Sequence, residues 1–301
     1  MSLELGAGKE LRAWSWELRV GENVEKKRVK IAVVGMVGKS VFMEVERFHE
    51  GGETVMARSC HEDWGGKGFN QAVAAARQDA DVAFLGACAE RDRAAILSDL
   101  AGEAGLSLKL VGRDINSALA TIITDTAGAT QVTCCAGAEL EPADVDAFVD
   151  EIASADILLL SNEVPESVNL RASEIAEQRG VRIVMNPAPS RPLPDVLKRR
   201  VSLFTPNEFE TAGLGDAPGE VVTTLGEKGC RIRSTGEVVP PAPSVKAVDA
   251  TGAGDTFNGV LAVRIAEGAP LAEACRAAND AAAKEVSVRY VLPAIPYRRR
   301  S

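Results

Sequence analysis

Asp249-Ala250-Thr251-Gly252-Ala253-Gly254-Asp255, running on into Thr256-Phe257-Asn258-Gly259-Val260-Leu261, sets small residues directly ahead of an apolar helical repeat. Backbone N–H groups in such a turn are unshielded, and together with the positive end of the helix dipole they make a phosphate site. Asp255 falls in the first helical turn. A carboxylate beside a bound phosphate repels it, yet is well suited to taking a proton from a hydroxyl that attacks it. The stretch points to phosphoryl transfer to an alcohol; the plainer reading is a Gly-rich strand-to-helix turn with a capping Asp.

Outward from this turn, strands and helices alternate. Residues 30–35 form a continuous apolar run of the kind buried on both faces of a parallel sheet. Further strands are expected at 82–85, 157–160, 181–185, 201–205, 221–225, 230–233 and 237–239. Helices are expected at 69–77, 93–104, 142–152, 168–179, 253–267 and 271–285. This order predicts an α/β fold, a doubly wound and mainly parallel sheet flanked by helices. Strand pairs at 40–45 with 53–58, about Gly51-Gly52, and at 118–124 with 130–134, about Ala127-Gly128, suit a small β layer beside it. Residues 1–28 read as an N-terminal extension of unknown order and 29–301 as one domain, with the small layer drawn from about 38–60 and 115–135.

Composition narrows the function. The chain has 301 residues, 46% of them hydrophobic, enough for a sizeable core, and a formal net charge of -9 that argues against a nucleic-acid partner. The six cysteines form no CxxC pair, and His49 and His61 are the only histidines, which speaks against zinc and against a disulfide framework. No stretch has the length of a membrane span and the N-terminus is charged, so a cytoplasmic protein with no membrane partner is expected.

Four more motifs lie at strand ends, where open α/β sheets bind ligands. Gly65-Gly66-Lys67-Gly68-Phe69-Asn70-Gln71 offers close backbone approach, a cation and an amide, or is a flexible turn with a solvated Lys. Glu163, after the strand at 157–160, is placed to take two sugar hydroxyls or is a surface acid. Asn207 and Glu210 share one face of a helical turn, where they could hold magnesium-bound water or form a capping box of the same spacing. Thr224-Leu225-Gly226 ends a strand at a tight turn, where it could meet a nucleotide or simply make a hairpin.

Taken in order, these motifs resemble the ribokinase family, the phosphofructokinase-B group of carbohydrate kinases. Both signatures are present, 65–71 and 249–255, with Asn186-Pro187-Ala188-Pro189, Asn207 to Glu210 and Thr224 to Gly226 between them. The resemblance implies a ribokinase-like fold whose small sheet is a lid over the sugar and the contact of a homodimer. It implies Asp255 as catalytic base, with Gly252, Ala253 and Gly254 as anion hole. Gly65, Gly66, Lys67, Asn70 and Glu163 match sugar-side positions, and Asn186, Thr224, Gly226, Gly229 and Asn279 match nucleotide-side ones. Asn207 and Glu210 match the pair that organises Mg2+ through water, with ATP as cosubstrate. Potassium is implied beside the anion hole, held partly by carbonyls around Asp249 and Thr251.

The chain also departs from the family. Where ribokinases carry Gly-Ser-x-Asn-x-Asp after the first strand, it has Gly35-Met36-Val37-Gly38-Lys39-Ser40. Losing those two grips costs about 1–3 kcal/mol, so ribose is expected to bind poorly, and restoring Asn and Asp at 38 and 40 is expected to raise ribose turnover. Lys39 would suit an acidic or phosphorylated acceptor, or is solvated. Residues 211–222 form a shorter passage than usual, and Tyr290-Val291 replaces the Gly-Ala of the cation loop. The expected activity is transfer of the ATP γ-phosphate to a primary hydroxyl of a sugar or sugar-like molecule. The alternatives are a nucleoside kinase of the same fold and a binding protein that has lost turnover.

Overall fold

The computed structural model describes residues 28–241 and 247–298. The N-terminal extension, apart from Arg28, lies outside the described residues. The large sheet runs β13 (Val238–Val239), β12 (Cys230–Ile232), β11 (Glu220–Thr224), β10 (Leu203–Phe204), β9 (Arg182–Asn186), β8 (Ile157–Ser161), β1 (Lys30–Val34), β4 (Asp81–Ala89) and β5 (Leu106–Arg113). From β11 through β5 every pairing is parallel; β12 is antiparallel to both of its neighbours, β11 and β13. A second sheet has the order β3 (Ser59–Gly65), β2 (Gly38–Glu44), β6 (Ala118–Thr124) and β7 (Thr130–Cys135).

Two apolar layers enclose the large sheet, and β1 shows how. Ile31 and Val33 join one layer while Ala32 and Val34 join the other, the alternation of a strand covered on both faces. The first layer is completed by α1 (Lys67–Ala76), α2 (Glu90–Asp99), α8 (Ala253–Ala266) and α9 (Leu271–Glu285). The second takes α3 (Pro142–Asp146), α4 (Val149–Ala153), α5 (Glu166–Arg179), α6 (Asp195–Arg200) and α7 (Glu208–Leu214). α8 has no polar stripe, because α1 and α9 flank it and nearly all of it is buried.

Several elements differ from the sequence expectation. The partner of β2 is β3 at Ser59–Gly65, not 53–58, which is irregular. β5 went unread because its Leu-Ser-Leu-Lys alternation belongs to a half-covered edge strand rather than to an apolar run. The helix expected at 142–152 breaks into α3 and α4 around Phe148. α6, a single short turn after a Pro-rich loop, was not anticipated.

Candidate active site

The site forms where β1 ends and the chain crosses to the small sheet. Gly35 donates its N–H to Leu85 O (3.0 Å), and an added Cβ there would lie 2.7 Å from the Gly68 Cα, so both glycines are needed for α1 to start against β1. After β2 and β3 the chain returns at Gly66 with φ 125 and enters α1. α8 starts beside it, with Gly252 as N-cap at φ 90.

This crossing brings residues far apart in sequence onto one carboxylate. Asn70 Nδ2 donates to Asp255 Oδ2 (3.0 Å), Gln71 Nε2 donates to Asp255 Oδ1 (3.1 Å) and also reaches Asn186 Oδ1 at 3.5 Å. Burial pushes the Asp255 carboxyl up, while Lys67 and the two amides pull it down. Asp255 in turn holds the Lys67 ammonium above its ordinary value, helped by Glu163 and Glu210. Glu163 Oε2 accepts the Lys67 backbone N–H (2.6 Å), and burial raises its carboxyl to about 7. Asn70 Oδ1 and Gln71 Oε1 are buried without a partner among the described residues, leaving acceptors open beside Asp255.

The stretch expected to make the anion hole folds as a turn at the start of α8. Asp255 and Thr256 donate their N–H groups to Gly252 O (2.7 and 2.9 Å), whereas the N–H groups of Gly252 and Gly254 find no acceptor among the described residues. Asp249 braces it, Oδ1 accepting from Thr251 N (2.9 Å) and Oδ2 from Tyr290 N (3.3 Å).

A cleft of about 990 Å³ opens between this turn and the small sheet. Gly65, Gly66, Lys67, Asn70, Glu163, Asp249, Thr251, Gly252 and Asp255 line it. The residues expected from the sequence to meet nucleotide and magnesium do not line that cleft. Asn207 and Thr224 form a β-bridge, Thr224 N donating to Pro206 O (2.9 Å). Asn207 Oδ1 accepts from Glu210 N (2.8 Å) and Glu210 Oε2 from Asn207 N (2.9 Å), so the capping box is real. Glu210 Oε1 takes no hydrogen bond from the described residues. Gly226 and Gly229 adopt φ 57 and 86. Asn279 Nδ2 donates to Val239 O (3.0 Å) and Pro240 O (3.2 Å), tying α9 to β13.

One idea about the acceptor is corrected here. An added Cβ at Gly38 would lie 2.3 Å from Ala118 O, so an Asn cannot be restored there without moving β6. Lys39 lines the cleft with Gly38 and Ser40, its ammonium 5.5 Å from the Trp64 ring centroid. Sequence reasoning also missed three residues. Gln71 was quoted in its motif but given no role. Glu285 is buried on the α9 face that carries Ala274, Ala278 and Ala281, a helical spacing that marks it as inward-facing. His61 stacks on Tyr290 with ring centroids 3.8 Å apart.

Among the described residues no helix is long and apolar enough to cross a membrane. A family model described as pfkB family carbohydrate kinase matches residues 30–296. The Bacillus subtilis ribokinase is 31% identical over 270 residues, 85% of this chain and 92% of that protein. The bifunctional ribokinase/ribose-5-phosphate isomerase A of Fructilactobacillus sanfranciscensis is 31% identical over 78% of this chain, which spans 48% of that longer protein. The structure of Arabidopsis thaliana ribokinase complexed with ribose and ATP superposes with a TM-score of 0.78 at 26% identity, over 90% of this chain and 96% of the other. The ribokinase-like fold, the ordered motifs and these similarities agree: the chain belongs to the pfkB family of carbohydrate kinases, phosphotransferases with an alcohol group as acceptor.

Proposed function

We propose that this chain transfers the γ-phosphate of ATP to a primary hydroxyl of a sugar or sugar-like acceptor, with Asp255 as general base. The observation that carries the reading is Asp255 itself, buried at the start of α8 and gripped by two side-chain amides whose own oxygens stay open. Burial makes the carboxylate more basic, and Lys67 with the two amides acts against that rise. The attacking hydroxyl would donate to Asp255, while neighbouring hydroxyls of the acceptor would donate to Asn70 Oδ1 and to Glu163. The N–H groups of Gly252 and Gly254 would stabilise charge on the transferring group. Magnesium, when bound with ATP, supplies neutralisation of phosphate charge. Asn207 and Glu210 fit the holding of its water, because the capping box fixes the Glu210 carboxylate while leaving Oε1 unengaged.

The test is coupled ADP release with magnesium-ATP across pentoses, hexoses, sugar acids, polyols and nucleosides. Turnover with a sugar-like acceptor is expected, falling roughly 10²–10⁴-fold in Asp255→Asn with the melting temperature retained. Equal rates in the two proteins would refute the base. Turnover with nucleosides alone would replace the sugar reading by a nucleoside kinase, and ATP binding without turnover would favour a binding protein.

A further inference from the structure

We propose that Asn186 and Gln71 form a buried amide relay that orients the Asp255 carboxylate, so that Asn186 acts on the reaction through Gln71 rather than by touching the nucleotide. The inference rests on reading Asp255 as the general base. The relay starts at a fixed acceptor, for Asn186 Nδ2 donates to the backbone carbonyl of Thr205 (3.0 Å). A backbone carbonyl can only accept, so this bond decides which way round the Asn186 amide stands and turns its Oδ1 toward Gln71. Gln71 Nε2 reaches that oxygen at 3.5 Å and Asp255 Oδ1 at 3.1 Å. Both neighbours are acceptors, so Gln71 must present its NH2 group to them, which has a hydrogen for each. Reversed, the Gln71 amide would set its own oxygen against the carboxylate. Asn70 holds the other carboxylate oxygen, Oδ2, at 3.0 Å, and with a donor on each oxygen Asp255 has one orientation.

The surroundings of both amides fit positioning better than packing or nucleotide contact. Gln71 is fully buried in α1, ahead of the apolar run Ala72-Val73-Ala74-Ala75-Ala76, and its Oε1 has no hydrogen-bond partner among the described residues. A half-satisfied amide in such a place costs stability relative to an apolar side chain of the same shape, so its presence is explained by what its NH2 group does for Asp255. Asn186 is buried at the end of β9, where it pairs with Ser161 of β8. It does not line the cleft, and both ends of its amide turn inward, to Thr205 and to Gln71. The Gln71 hydrogen bond also holds the Asp255 carboxyl below the value that burial alone would give it, so loss of that donor raises the carboxyl further.

The experiment compares the natural protein with Gln71→Met, which keeps the volume and drops the donor, and with Asn186→Ala. The Asp255 carboxyl is followed by carbon NMR on full chains labelled at the aspartate carboxyl, its resonance being the one that Asp255→Asn removes. It is expected to titrate at higher pH in Gln71→Met than in the natural protein, and an equal titration overturns the proposal whether or not the chain turns over. Asn186→Ala gives a second reading should Gln71→Met not fold, since an unanchored Gln71 is expected to shift the titration in the same direction. In coupled ADP release, kcat of Gln71→Met is expected to fall roughly 10- to 10²-fold, with its acid limb moved to higher pH and KM for the acceptor and for ATP little changed. Asn186→Ala is expected to lower kcat without raising KM for ATP, and to add nothing in the Gln71→Met background. A raised KM for ATP in Asn186→Ala, or losses that multiply in the double variant, overturns the relay. Gln71→Met is expected to melt no lower than the natural protein; a lower melting temperature with an unaltered titration marks Gln71 as packing alone and overturns the proposal. Full activity in Asp255→Asn refutes the base, whereas a full loss there with no effect at Gln71 refutes only the relay.

Discussion

Glu163 joins the start of α1 to the acceptor side of the cleft, and its ionisation falls in the working pH range. Burial raises its carboxyl to about 7; Lys67 and the N–H groups of Lys67 and Gly68 pull it down, and Asp255 pushes it up. Because the folded value lies above the ordinary carboxylate range, its contribution to stability is present at low pH and lost as pH rises through about 7. Acceptor binding has the opposite sign, since only the carboxylate can accept two hydroxyl donors. KM for the acceptor should therefore climb about tenfold per unit as pH falls below that point. Glu163→Gln should have a raised KM that no longer varies with pH in this window. A flat KM in the natural protein between mildly acidic and mildly basic pH would remove Glu163 from acceptor binding. At this scale Asp255, Lys67 and Asn70 were legible because each sits in a short motif whose neighbours carry the reason. Gln71 was not, because its meaning comes from a partner 184 residues distant.

Between the small sheet and the turn from Asp249 to Gly252, the loop at Arg289 and Tyr290 makes a connection. Tyr290 adopts φ 67, a conformation suited to glycine, and its ring stacks on His61 of β3 and meets the Phe42 ring of β2 edge-on at 5.4 Å. Arg289 pairs with Glu44 at the end of β2. The left-handed backbone costs about 1 kcal/mol, and each aromatic contact returns about 0.5–1.5 kcal/mol beyond the area it buries. Tyr290→Ala keeps the strain and loses the contacts, whereas Tyr290→Gly loses the contacts but relieves the strain. Melting temperature should thus fall in the order natural protein, Tyr290→Gly, Tyr290→Ala, with both variants exchanging amide hydrogens faster in β2 and β3. Equal melting of all three would mean that the loop and the sheet are not coupled. Element type was readable wherever burial leaves a simple pattern, as in β8, whose five residues are all buried. It was not readable in β3, because Ser59 to Trp64 are polar or half-exposed and the strand is fixed by its pairing with β2 rather than by its own sequence.

Across the whole molecule, the geometry at Asp255 depends on how closely two helices approach. α1 brings Asn70 and Gln71, α8 brings Asp255, and one turn further along α8 Gly259 lets them touch. A Cβ at Gly259 would stand 2.6 Å from Gln71 O, 2.6 Å from Ala74 Cβ and 3.0 Å from Ala75 N. Two of those atoms belong to the backbone, so a methyl group cannot be absorbed by a side-chain rotation, and the helices must separate. Gly259→Ala should cost about 1–3 kcal/mol of stability by overpacking, against the gain in helix propensity that Ala ordinarily brings. Because the wedge lies beside Gln71, the same shift should carry both amides off Asp255. A displacement near 1 Å there is enough to lower kcat by about 10²-fold, with KM for ATP little changed if Thr224, Gly226 and Asn279, on other elements, meet the nucleotide as expected. Gly102→Ala, where an added Cβ meets nothing within 4 Å, is the control and should leave both quantities unaltered. Kinetics measured well below the melting point separate the two effects. A Gly259→Ala protein that melts lower yet keeps full kcat would show that Asp255 tolerates movement of α1, and the preorganisation argued for this site would be wrong.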